Sequence, residues 1–510
     1  MRRLAVSALL ALFFLQSFCA SLLKSPTFDE PAHLASGVSY LSTGIFHANL
    51  QHPPLLKELS AASAMLFAGV RWPDSPEART LIADPPGTSG LEWAVGNEIL
   101  ARDPDRVLFW ARLPMILIAT LLGLLIYLWG RQILGETAAL GALFLYAIDP
   151  TMIAHSYLVT TDVGLAAFTV AFLMALSCYA ERPSGRGLVY CGLALGAALA
   201  SKYSAVLLVP VAFALLFAVR GRRALGPFLV ICAVASLVID AAFLLHSPLK
   251  VYVQGIARVN ADHDPHYQAF FAGEFAKRFY SYFAGAYFLK EPLAAILAAG
   301  VGAAAIVRSK HRLFLLLPPA VLFLAYTAKA DNMGVRYLIP VLPFAFLAGG
   351  AGLAWLIGKR VWWSRGAAAL LCGWLAVQAA AIYPDHLSYF NESACLLRDP
   401  AKTGLDGGTR CGPQWLDDSN VDWGQGLKQL RGWLDRQGIR GPIRLAYFGS
   451  FPPTVYGIPA ARPEVKAEAE AGVYAVSAHF VPRLAANGAW FGRTEPTAIV
   501  GHAIYVYVVK

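Results

Sequence analysis

The sequence predicts a polytopic α-helical membrane protein of about eleven transmembrane helices, with a small α/β extracytoplasmic domain at its C-terminal end. Three observations predict it. Hydrophobic residues make up 57% of the 510 and charged residues 15%, where a soluble domain carries about 25% charged residues. Apolar runs of spanning length recur through most of the chain, separated by short basic clusters. After Tyr383 the composition turns polar and the pattern shifts to short alternating stretches.

The apolar runs fall at residues 4–23, 107–129, 137–154, 163–180, 188–200, 204–219, 224–245, 293–307, 313–328, 337–357 and 366–382. The first has the form of a signal peptide, two arginines followed by an apolar stretch and small residues near Ala20, and it is expected either as an anchor or as a cleaved leader. The stretch from Leu188 to Val219 is apolar except for Ser201, Lys202, Tyr203 and Ser204. Arg182 and Arg186 precede it, and Arg220, Arg222 and Arg223 follow it. Under the positive-inside rule both flanks are cytoplasmic, so the run goes out and back with Lys202 at an outer turn. The clusters at Arg2–Arg3, Arg131, 308–312 and 359–365 then fall on one face. The long loops 24–106 and 246–290 fall on the other, with everything after Tyr383, and long loops on one face mark where function is built.

The expected division is a transmembrane part, 1–383, and an extracytoplasmic α/β part, 384–510. In the latter, "IRLAYFG", "GVYAVSA" and "AIYVYVV" read as strands and "GQGLKQLRGWLDRQG" as an amphipathic helix with Leu427, Leu430 and Leu434 on one face. Asp422 has the position of a cap for it. Cys395 and Cys411 lie off the membrane on one side, where a disulfide between them is the expectation.

The formal net charge is +10, but the Lys and Arg sit in orienting clusters and form no basic stripe interleaved with aromatics, so nucleic acid is excluded as a partner. The lipid bilayer is the implied one. No phosphate loop, dinucleotide fingerprint or H-E-x-x-H zinc motif occurs. Candidate chemistry gathers on the outer face. Asp29 and Glu30 follow the first run, and "HPPLLK" supplies His52 and Lys57 on a turn stiffened by Pro53 and Pro54. Asp162 ends "HSYLVTTD" at the outer end of the fourth run, and Arg336 stands at the mouth of the tenth. Lys202, Lys290, Arg258, His263 and His266 add positive charge on this side. Acids beside a cationic pocket suit proton abstraction at one point and phosphate binding at another.

In this order, "DE", "HPPLLK", "TTD" and "RYLIPVLPF" resemble the protein O-mannosyltransferase and aminoarabinose-transferase group, polyprenyl-phosphate-dependent glycosyltransferases of the multi-spanning C-type superfamily. "DDSNVDWGQGLKQL" is similar to a segment of bacterial members. The resemblance implies a glycosyltransferase, hexosyl- or pentosyl-, in the cell (inner) membrane with its working face extracytoplasmic. A polyprenyl-phosphate sugar would be the donor, and a protein, lipid or polysaccharide hydroxyl the acceptor. Carried over, Asp29 is the catalytic carboxylate with Glu30 beside it, Asp162 a supporting acid, and His52 the basic residue before the prolines. Gln51 and His52 stand where aminoarabinose-type members have an acidic and a basic residue, which is nearer the O-mannosyl pattern. No cofactor is certain, no metal ligand is assigned, and a divalent cation stays open. The competing expectation is a transporter or lipid flippase relaying ions through intramembrane charges such as Asp240. It is disfavoured by the concentration of charge at outer helix ends and the lack of an internal repeat.

Overall fold

The computed structural model describes residues 2–510 except 84–89, 247, 262–266, 360, 462–467 and 491–493. A helix occupies each of the apolar runs. In order they are Arg2–Leu22, Pro104–Leu134, Glu136–Ala147 with Pro150–Ser156, Asp162–Glu181, Gly185–Leu199, Leu208–Arg220, Leu225–Ala242, Leu293–Arg308, Arg312–Lys329, Leu342–Gly358 and Trp362–Ala381. Among the described residues, five helical stretches are long and apolar enough to cross a membrane, or up to seven if each bent pair is one span. The expected count of about eleven depends on including the shorter and bent helices as well. One bend, of 63°, lies between Glu136–Ala147 and Pro150–Ser156. There Asp149 accepts a hydrogen bond from the Met152 amide at 2.8 Å and Pro150 opens the second helix, so a fresh helix start interrupts the first.

The break at Lys202 is present. Gly192 packs on Val234 and Gly196 on Val238, in ascending order along both helices. Gly185–Leu199 and Leu225–Ala242 therefore run parallel, and Leu208–Arg220 between them runs back. The Tyr252 hydroxyl donates to the Leu199 carbonyl at 3.1 Å, tying the helix Pro248–Ala261 to the end where Lys202 lies.

The first long loop folds into helices that build this end of the bundle, chiefly Glu30–Thr43, Leu55–Ala68 and Leu91–Ala101. They approach so closely that a Cβ at Gly37 would lie 2.2 Å from the Lys57 carbonyl oxygen, and one at Gly96 2.0 Å from that of Pro31. Backbone this close admits only glycine.

The tail carries a five-stranded mixed sheet in the order Ala460–Ala461, Ile443–Ala446, Gly472–Ser477, Ile504–Val509, Ala498–Val500. The helix Leu427–Arg436 buries Leu427, Leu430 and Leu434 against it. These side chains share one apolar cluster with Leu34, Val38, Val95 and Ile99 of the first loop. The boundary expected at residue 383 is thus a change of composition rather than a gap between cores. Cys395 and Cys411 are joined by a disulfide, Cα to Cα 5.1 Å.

Candidate functional site

Asp29 lies immediately before the helix Glu30–Thr43, and one of its carboxylate oxygens meets Arg336 Nη1 at 3.1 Å. The two side chains come from positions 307 residues apart, and both keep some exposure, 25% and 14%. The Arg336 guanidinium lies over Trp423, 4.3 Å from the ring centroid, and nears Tyr337 at 5.6 Å. Lys202 sits 4.8 Å from the centroid of the same Tyr337 ring and forms a buried ion pair with Asp162. Two acid–cation pairs therefore meet at one tyrosine.

Glu30 departs from the expected catalytic role. It is 1% exposed and forks onto Arg112 at 2.8 and 2.6 Å. Its remaining capacity is taken by the Thr27 amide and hydroxyl and by the Val159 amide. Burial raises its pKa, but Arg112 and these hydrogen bonds outweigh burial and hold it below the ordinary carboxylate range. Such a carboxylate is a structural anchor for the residue before it.

The rigid turn also departs from the sequence expectation. Lys57 Nζ donates to the Asn49 carbonyl and side-chain oxygens, both at 2.8 Å, and to the His52 carbonyl at 3.0 Å. Its three donors are thus committed to fastening the loop, and burial lowers its pKa to about 7. In this arrangement the expected phosphate contact has no Lys57 donor left to it. His52 packs edge-on against His33, ring centroids 5.7 Å apart. Burial, with Lys202, His33, Lys57 and Arg336 nearby, holds His52 well below its ordinary range. It is a neutral imidazole near pH 7 and offers hydrogen bonding rather than positive charge.

Lys290 donates to the Leu387 and Asn420 carbonyls at 2.8 and 2.6 Å, so it too is a fastener and not a free cation. Arg258 lies half-buried on the helix Pro248–Ala261. His263 and His266 lie outside the described residues. Asp422 does not cap the helix Leu427–Arg436. It accepts from the Gly424 amide at 2.8 Å and holds the preceding turn.

Several residues that the sequence did not single out belong to this site. Arg112 is one. His33 is another: its Nδ1 donates to the Val159 carbonyl at 2.7 Å, and burial lowers its pKa to about 4. Asp418 accepts from the Tyr267 hydroxyl at 2.9 Å, and its carboxyl is raised by burial although Arg336 opposes the shift. Among the described residues no group of three or more His, Cys, Asp or Glu side chains is placed to hold a metal ion. Gln51, beside His52, offers an amide where an acid would offer a carboxylate.

The fold and site define a multi-pass membrane protein with paired acids and cations gathered at one end of its helical bundle. Residues 105–246 match the family described as dolichyl-phosphate-mannose-protein mannosyltransferase. The chain is thus similar to the polyprenyl-phosphate-dependent glycosyltransferases, as its motifs suggest. The matched segment contains Asp162 and Lys202 but neither Asp29 nor Arg336. No curated protein matches the sequence. Among solved structures, the chain is similar to ArnT from Cupriavidus metallidurans in the apo state, with 12% identity over 99% of this chain and 96% of that one and a TM-score of 0.49. It is also similar to the oligosaccharyltransferase AglB from Archaeoglobus fulgidus in complex with an inhibitory peptide and a dolichol-phosphate, with 14% identity, 74% and 55% coverage and a TM-score of 0.47. A third is the S. cerevisiae protein O-mannosyltransferase Pmt1-Pmt2 complex bound to the sugar donor, with 21% identity, 50% and 33% coverage and a TM-score of 0.31.

Proposed function

We propose that the protein is a membrane glycosyltransferase that moves a sugar from a polyprenyl-phosphate donor to an acceptor hydroxyl on the extracytoplasmic face, with inversion. The chain crosses the membrane about eleven times, and the 384–510 tail stands outside. The observation that carries the reading is the part-exposed ion pair between Asp29 and Arg336. A carboxylate beside a guanidinium supplies a proton acceptor and a phosphate clamp at one point.

The donor phosphate binds Arg336 and Lys202, whose partners, Asp29 and Asp162, are carboxylates that a phosphate can replace. Lys57 and Lys290 hold loop carbonyls and stay where they are. Asp29, released from Arg336, takes the proton of the acceptor hydroxyl. The acceptor oxygen forms a bond to the anomeric carbon as the bond from that carbon to the phosphate oxygen breaks. The electron pair leaves with the lipid phosphate, whose charge Arg336 and Lys202 stabilise. Asp162 sets the position of Lys202, and Glu30 with Arg112 sets that of Asp29.

Purified protein in lipid nanodiscs, given a radiolabelled polyprenyl-phosphate hexose or pentose, tests this. Sugar should appear on acceptor or water, and Asp29→Asn should abolish most of it. Lipid-linked sugar that stays intact with every acceptor class, and does not bind, would overturn the reading.

A further inference from the structure

We propose that tail residues 417–425 are the positioning element of this site, with Trp423 as the platform that holds Arg336 by its face. The inference rests on the functional reading above. The segment grips both halves of the site. On the Asp29 side, the Phe28 amide donates to the Trp423 carbonyl at 2.8 Å and the Ser25 amide to the Gln425 carbonyl at 3.1 Å. The Ser25 hydroxyl donates to the Gly424 carbonyl at 3.0 Å and accepts from the Leu427 amide at 3.0 Å. The stretch leading into Asp29 is therefore clipped to the tail up to the residue before it.

On the Arg336 side, Asn420 Oδ1 accepts from the Val335 amide at 2.9 Å and Ser419 Oγ donates to the Met333 carbonyl at 2.6 Å. Gly334 between them has φ +148°, and a Cβ there would lie 2.2 Å from Ser419 Oγ. The segment is itself stiff: the Trp423 amide donates to Gln425 Oε1 at 2.7 Å and the Gly424 amide to Asp422 Oδ1 at 2.8 Å. Trp423 is 2% exposed, so its ring is fixed by its surroundings.

The chemistry explains why an indole suits this place. A guanidinium fastened by carbonyls or carboxylates commits its N–H donors to them. One held by its face on an aromatic ring keeps its plane while those donors remain available for a phosphate. Trp423 thus orients Arg336 without competing with the ligand.

The test is binding of a polyprenyl phosphate in nanodiscs to the full chain and to Trp423→Phe, Trp423→Leu, Arg336→Ala and the Trp423→Leu/Arg336→Ala double variant. Apparent melting temperature serves as the check on folding. Trp423→Leu should weaken binding roughly 2- to 30-fold and Trp423→Phe less. In the Arg336→Ala background, Trp423→Leu should have no further effect. If Trp423→Leu does not fold, the Phe variant and its own double with Arg336→Ala carry the comparison. Separately, Ser25→Ala, which removes a clip between the Asp29 stretch and the tail, should lower turnover more than polyprenyl-phosphate affinity. Equal binding by wild type and the Trp423 variants overturns the inference, as does the same loss in both backgrounds, which marks a packing role only. Failure of the wild type to bind polyprenyl phosphate at all instead removes the functional reading and the inference with it.

Discussion

Removing the charge of Glu30 gives the sharpest separation between anchoring and catalysis. Both Glu30 and Arg112 are 1% exposed, and the pair makes a bidentate contact. Breaking such a buried pair from one side costs about 3–5 kcal/mol, because the other charge stays buried. A swap of both residues for apolar ones of similar size is often neutral, but here it should not be. Arg112 also donates to the carbonyls of Ser21, Lys24 and Ser25 at 2.8, 3.1 and 2.9 Å. Each carbonyl left without a partner costs roughly 1–3 kcal/mol. Glu30→Leu/Arg112→Met should therefore be no more stable than Glu30→Gln. Monodisperse protein remaining after a heating series in detergent, read by size-exclusion fluorescence, ranks the variants. A double variant as stable as wild type would refute the view of Arg112 as the hub of this turn.

Three further outcomes are expected. Asp29→Asn keeps the shape of the side chain but not the base, so turnover should fall by about 10²–10⁴ while polyprenyl-phosphate binding holds or tightens; near-normal turnover in a labelled-donor assay would remove Asp29 from the chemistry. His33 has a folded pKa of about 4 against an ordinary 6.5. The stability from burying it neutral is complete above pH 6.5 and lost as pH falls towards 4, on the order of 3 kcal/mol, and His33→Gln should flatten that slope in melting curves between pH 7 and 4. Reporter fusions at Arg222, Lys310 and Lys359 should report the cytoplasm and fusions after Arg71, Gln268 and Gly407 the outside; Arg222 on the outside would break the hairpin argument at Lys202.

Periodicity and charge carried much of the architecture. The helices stand where the apolar runs lie because a 3.6-residue repeat and burial in one solvent act locally. The turn at Lys202 was legible because arginines flank both ends of a run too long for one helix and too short for two separate ones. The joint core of the tail and the first loop was not legible. Leu34 and Leu430 belong to one cluster, but nothing local in either helix specifies the partner it covers.

The site divides in the same way. Asp29 and Arg336 stood out because each is a charge at the edge of an apolar run, where a side chain needs a reason to be. Lys57 and Lys290 stood out by the same signal, yet their ammonium groups go to carbonyls that their own sequence context does not announce. A sequence marks where charge is unfavourable and leaves open whether the structure turns it to a ligand or to a loop. Arg112 shows that the mark was available and passed over. It is an ionisable residue inside the run 107–129, and by the same reasoning it called for a partner. The partner is Glu30, next to the proposed base. In the proposed function the acidic pair in the first loop divides into one residue for chemistry and one to hold it in place, and the three-dimensional neighbours of each are the ground for that division.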